Sequence, residues 1–132
     1  MGQRRKITQK AFLALYINSL DDPLYRPLVN GSRHFRLDRL LEDQGYLPSL
    51  AGLSARNLNF RHADFSGLDI DGLDLSGAQC HWADFSRAHF QSLYYDDNTR
   101  FYEAGFTSDQ LVRLNFEQTT PRTIILMDGA SA

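Results

Sequence analysis

The chain has 132 residues, 42% of them hydrophobic and 23% charged, with a net charge of −2, the balance of one ordinary globular domain. That charge excludes a strongly basic nucleic-acid binder and a strongly acidic mimic alike. The lone cysteine, Cys80, excludes an internal disulfide and a cysteine zinc cluster, and it fits a reducing cytoplasm.

The first twenty residues join a basic head (Arg4, Arg5, Lys6) to the apolar run Ala11–Ile17. The run is short for a secretory signal, and Asn18-Ser19-Leu20-Asp21-Asp22 stands where small cleavage-site residues belong. Gly2 would suit myristoylation, but Lys6 replaces the Ser or Thr of that motif. The segment is therefore read as a helix that Thr8 caps, carrying Phe12, Leu13, Leu15, Tyr16, Ile17 and Leu20 and broken at Asp22-Pro23. A second helix is expected from Ser32 through Leu37, Leu40 and Leu41 to Gly45, the glycine that follows a helix end. No apolar stretch reaches the length of a membrane span.

From Leu53 the pattern changes to a period of five. Ala55, Phe60, Phe65, Ile70, Leu75, Cys80, Phe85, Phe90 and Tyr95 are all apolar. So are the residues two places before each: Leu53, Leu58, Ala63, Leu68, Leu73, Ala78, Ala83, Ala88 and Leu93. At this composition, eighteen matches in eighteen arise by chance on the order of once in several million trials. Neither the helical period of 3.6 nor the strand period of 2 produces this pattern. A path that turns a corner at every repeat does, and four repeats then close a square coil. After Tyr95 the pattern resumes one residue late, at Thr99/Phe101 and Ala104/Phe106, which predicts a bulge at Asp97-Asn98.

The units "ADFSG", "LDLSG", "ADFSR", "LNFRH" and "LDIDG" resemble the pentapeptide-repeat family. The resemblance covers residues 53–106 and implies an all-β solenoid, a short right-handed quadrilateral β-helix with the central Leu or Phe and the preceding small residue inside. Its ends would leave open backbone edges that need covering. One domain is expected, with residues 1–52 as a helical cap, 53–106 as the β-helix and 107–132 as a C-terminal helix and strand-like tail. Thr107 and Gln110 have the spacing of a capping box, ahead of Leu111, Leu114 and Phe116. Pro121 ends that helix, Thr123–Met127 reads as a strand lying on the body or pairing two chains into a homodimer, and Gly129–Ala132 is expected to be mobile.

Residues twenty apart should stack on one face. One face then collects Arg61, His62, His81, Trp82, Arg100 and Tyr102, together with Asn59, Gln79 and Glu103. The remaining faces are acidic, with Asp69, Asp71, Asp74, Asp96 and Asp97 forming a secondary surface beside Asp64 and Asp84. An aspartate before the central residue also satisfies local backbone donors, a structural duty that competes with any binding role. His62 and His81 share a face but have no closely spaced third ligand, so no metal site and no cofactor are assigned. Cys80 points inward as core filler. No nucleophile, phosphate loop or acid–base pair in a cleft can be assembled, which argues against an enzyme.

The expected function is a non-enzymatic module that docks one face on a protein partner; the charge argues against direct nucleic-acid binding and the lack of a long apolar stretch against a membrane span. Bacterial relatives include quinolone-resistance proteins that protect DNA gyrase, so an inhibitor or protector of a nucleic-acid enzyme is one expectation. An effector secreted into a host cell to bind a host protein is the alternative.

Overall fold

The period of five becomes a ladder of very short parallel rungs. The structure is a computed structural model and describes residues 4–19, 35–114 and 125–126. Ser49 bridges Asp69, Ser54 bridges Asp74, Asn59 bridges Gln79, Asp64 bridges Asp84 and Asp69 bridges His89, always in parallel and always twenty residues apart. Strand β3 (Leu73–Asp74) pairs with β4 (Leu93–Tyr94) in the same register. The chain therefore returns beside itself every twenty residues, with a rung at every fifth. Each unit turns between rungs: the Ala63 amide donates to the Phe60 carbonyl (3.0 Å), and Leu68 to Phe65, Leu73 to Ile70 and Ala78 to Leu75 repeat the bond.

Of the eighteen residues expected inside, sixteen are buried, and Leu58 and Tyr95 pack half-buried against them. The rings of Phe65 and Phe85 stack at 4.4 Å, and those of Phe85 and Phe106 at 4.8 Å. That second stack spans the register slip. Beyond it the rungs join residues twenty-one apart, Gln79 to Arg100 and Asp84 to Gly105. The extra residue is absorbed beside the expected Asp97-Asn98 turn, where the Gly77 amide donates to the Asp96 carboxylate (3.0 Å). Thr99 Oγ1 closes the corner by donating to the Leu75 carbonyl at 2.9 Å.

The flanks meet the open edges. Helix α1 (Gln9–Ser19) starts at Thr8, whose Oγ1 accepts from the Ala11 amide. Its Gln9 amide group bonds both the N–H and the C=O of Ser54, and the Tyr16 hydroxyl accepts from the Asn59 amide. Phe12 is buried, but Leu13 and Ile17, expected to pack, are exposed.

The expected second helix is shorter than its sequence suggests. Residues 35 and 36 form β1 (Phe35–Arg36), parallel to β2 (Ala63–Asp64), and only Leu37–Asp43 is helical (α2). An unpaired coil edge needs backbone partners, and that need overrides the helical pattern here. Ser32, Leu20, Pro23, Phe116, Pro121 and Gly129–Ala132 lie outside the described residues. Gly45, at φ +86°, ends α2 as expected. The first rung is Ser49, and Leu50 is already buried, so the coil starts four residues before Leu53.

At the other end Thr107 and Gln110 form a reciprocal capping box at 2.9 and 3.2 Å, opening α3 (Ser108–Leu114). Strand β6 (Ile125–Leu126) is laid parallel on β5 (Gly105–Phe106) of its own chain, again twenty residues on. Of the two expectations for Thr123–Met127, this is the strand lying on the body. The described fold is thus a stack of short parallel strands flanked by helices.

Candidate functional site

In the turns of this ladder the third residue commonly takes a left-handed backbone. Gly67, Gly72 and Gly77 occupy it at φ +73°, as a type II turn prefers. On one face the same position holds His62 (φ +63°), Trp82 (φ +60°) and Glu103 (φ +52°). A side chain there costs roughly 1–2 kcal/mol, and for bulky residues it marks an outlier. Among the described residues Asn57 (φ +63°) is the other one without the freedom of glycine, and asparagine tolerates this region comparatively well. The face of His62 and Trp82 is therefore where backbone strain and large side chains coincide.

Two columns form on that face. The first runs Arg61, His81, Tyr102 and the second His62, Trp82, Glu103, the slip included: the His62 amide donates to the His81 carbonyl and the Trp82 amide to the Tyr102 carbonyl, both at 2.9 Å. The His62 and Trp82 rings stack at 4.9 Å and 14°. Trp82 meets Tyr102 edge-on at 5.7 Å, and His81 lies 5.6 Å from Trp82 and 6.3 Å from Tyr102. Trp82 keeps 38% of its surface exposed and Tyr102 45%. These ring partners of Trp82 among the described residues, His62, His81 and Tyr102, all belong to its own face.

Arg61 and Arg100 flank these rings. Arg100 Nη1 donates to the Asp97 carbonyl at 2.9 Å. His81 releases its proton more readily than an ordinary histidine, first because it is desolvated and then because Arg61 and Arg100 are close. Arg61 Nε and His81 Nδ1 are buried and have no hydrogen-bond partner among the described residues. All six residues expected on the face are thus brought together.

The aspartates of the acidic faces are largely occupied. Asp71 Oδ1 accepts from the Gln91 and Ser92 amides one coil away, and these bonds hold its carboxyl below the usual range. Asp69 Oδ1 accepts from the Asp71 amide. Asp74 is partly desolvated, yet Arg56 Nε (2.7 Å) and the Ser76 amide outweigh that and lower its pKa. Asp96 accepts from Gly77 and Asn98, while Asp97 is exposed. Asp69 and Asp71 line a depression of about 240 Å³ with His89, Phe90 and Gln91.

Among the described residues no group of three or more His, Cys, Asp or Glu is placed to hold a metal ion, and no helix is long and apolar enough to cross a membrane. The Cys80 thiol is fully buried, and desolvation pushes its pKa well up, which suits a packing residue.

Sequence reasoning found the face but missed its left-handed turns. The signal was present, because glycine holds the equivalent place in neighbouring units. The family model for pentapeptide repeats matches eight copies, over residues 49–78 and 56–91. No curated protein and no solved structure shows significant similarity to the chain. The family implies a β-helix and fits a protein-interaction module. With eight copies between Ser49 and Gln91, this part of the chain is a run of pentapeptide repeats.

Proposed function

We propose that the chain is a non-enzymatic binding module that docks the face of Arg61, His62, His81, Trp82, Arg100 and Tyr102 on a protein partner. The supporting body is read as a short right-handed, four-sided β-helix, with the segments before Ser49 and from residue 107 on as its caps. One observation carries the docking face. His62 and Trp82 occupy left-handed turn positions that glycine fills in other units, and Trp82 is still exposed. Strain of this kind persists where another role maintains it. Tryptophan and arginine are also the residues that dominate binding energy at interface centres.

A nucleic-acid enzyme such as gyrase is one partner class. Full-length imitation of a duplex does not fit this reading, because the repeat coils, fewer than three at about 4.8 Å, make a rod of some 13 Å, against about 34 Å for one turn of DNA; a small blocker of such an enzyme does. A host protein bound by a secreted effector is the other class.

The test is affinity capture from the native host with the wild-type chain and with Trp82→Gly. Glycine suits the backbone at this position, so the variant should melt within a few degrees of wild type. Its capture of the partner should fall at least about tenfold, or 1.4 kcal/mol. Undiminished capture would remove Trp82 from the interface. A gyrase-type enzyme in the eluate assigns the first partner class, and a eukaryotic protein the second.

A further inference from the structure

We infer that the surface received by this face is acidic: a protein segment whose carboxylates meet Arg61, His81 and Arg100 around Trp82. The inference rests on the docking reading and adds the chemistry of the partner.

Residues 53–106 carry eight acidic side chains and four arginines, yet two of those arginines stand on this one face. Arg36 and Arg56 are engaged by carboxylates at 2.6 and 2.7 Å. Arg61 and Arg100 have no carboxylate within ion-pair distance among the described residues. His81 sits between them in the stack and resists protonation partly because both are near, so the local field is positive. Arg61 Nε, always a donor, is buried without an acceptor among the described residues, and His81 Nδ1 likewise has no partner among them. The Arg61 guanidinium thus has donor capacity that no described residue uses. A carboxylate supplies acceptors only, and it matches the guanidinium fork. Trp82 and Tyr102 frame the spot with apolar surface that excludes water from such a pair.

A nucleic acid fits less well. Its affinity grows with the number of phosphates neutralised, and this face offers two arginines beside Glu103, with Asp64 and Asp84 on a neighbouring rung column. A short acidic segment can meet the two arginines without crossing those carboxylates.

Trp82 is the sole tryptophan, so its fluorescence reports this face directly in the full-length chain. Acetyl-hexaglutamate amide, titrated at low salt, should change the emission saturably, and acetyl-hexalysine amide should not. The double change Arg61→Gln, Arg100→Gln should weaken hexaglutamate at least tenfold, while Arg61→Lys, Arg100→Lys keeps much of the affinity and serves as the folded control. Three results would overturn the inference: no saturable response to hexaglutamate, a response undiminished by the Gln pair, or tighter binding of hexathymidylate than of hexaglutamate. If hexaglutamate fails while Trp82→Gly still abolishes capture of the native partner, only the acidic chemistry is wrong. If Trp82→Gly leaves capture intact, the docking face itself is wrong.

Discussion

Trp82 and Phe85 lie three residues apart and should differ sharply in their response to truncation. Phe85 is fully buried between the rings of Phe65 and Phe106. Phe85→Ala should cost about 3–5 kcal/mol, a large share of the 5–15 kcal/mol typical of a domain. A loss below about 1 kcal/mol in urea unfolding would place Phe85 outside the core. For Trp82→Gly, ring contacts worth roughly 0.5–1.5 kcal/mol disappear, and the left-handed penalty of about 1–2 kcal/mol disappears with them. The two nearly cancel. His81 adds a pH signature. Its folded pKa is depressed by desolvation and then by Arg61 and Arg100, so the unfolded chain takes up its proton first, near pH 6.5. The associated stability is present above about pH 6.5 and is lost as pH falls toward the folded pKa. Asp71 works in a lower window, because bonds from the Gln91 and Ser92 amides depress its pKa. Its stabilisation holds above the ordinary carboxylate value, near pH 4, and is lost below it. His81→Asn should therefore flatten the fall in melting temperature between about pH 7 and 5.5 and leave the steeper fall below pH 4. An unchanged upper slope would show that His81 is not the group responsible.

At the scale of elements, both ends of the stack are closed by glutamine side chains acting as backbone mimics. Gln9 presents its amide to both polar groups of Ser54, as a neighbouring rung would. Gln110 is buried, and its Nε2 donates to the Phe85 carbonyl at 2.8 Å while its Oε1 accepts from Thr107. A carboxylate here could accept from Thr107 but could not donate to Phe85. Gln110→Glu should thus be worse than the roughly 1–3 kcal/mol expected for one lost buried partner, and worse than the reverse exchange, carboxylate for amide, at exposed Asp109→Asn. Equal unfolding midpoints in urea for Gln110→Glu and wild type would show that α3 does not hold the last coil. Tyr95 adds a tie, its hydroxyl donating to the Leu114 carbonyl at 2.6 Å.

For the whole molecule the rule is nearest-neighbour stacking: each coil contacts only the coil above and below, and its outermost edges are templates for further pairing. Strand β6 occupies the outer edge of β5, and α3 covers Phe85 and Ala88 next to it. Deleting residues 107–132 would uncover both. The truncated chain should form soluble oligomers or aggregate, seen by light scattering, and melt lower than the full chain. A monomer of unchanged stability would refute the capping role.

What the sequence determined alone follows from its period. Residues two apart in every five face inward whatever the ends do, so Phe65, Phe85 and Phe106 could be stacked on paper, slip included. The Thr107–Gln110 box is equally local. The six-residue face was legible for the same reason, because stacking at twenty is a property of the repeat. The aperiodic segments obey no such rule. That Gln9 reaches Ser54 and Tyr16 reaches Asn59, across 45 and 43 residues, or that Phe35 pairs with Ala63, depends on which exposed edge needs a partner. The aspartates needed the structure as well: Asp71 spends its carboxylate on the next coil. Tertiary structure also decided that Trp82 stays exposed, since burial of an outward residue depends on what else the chain lays over it.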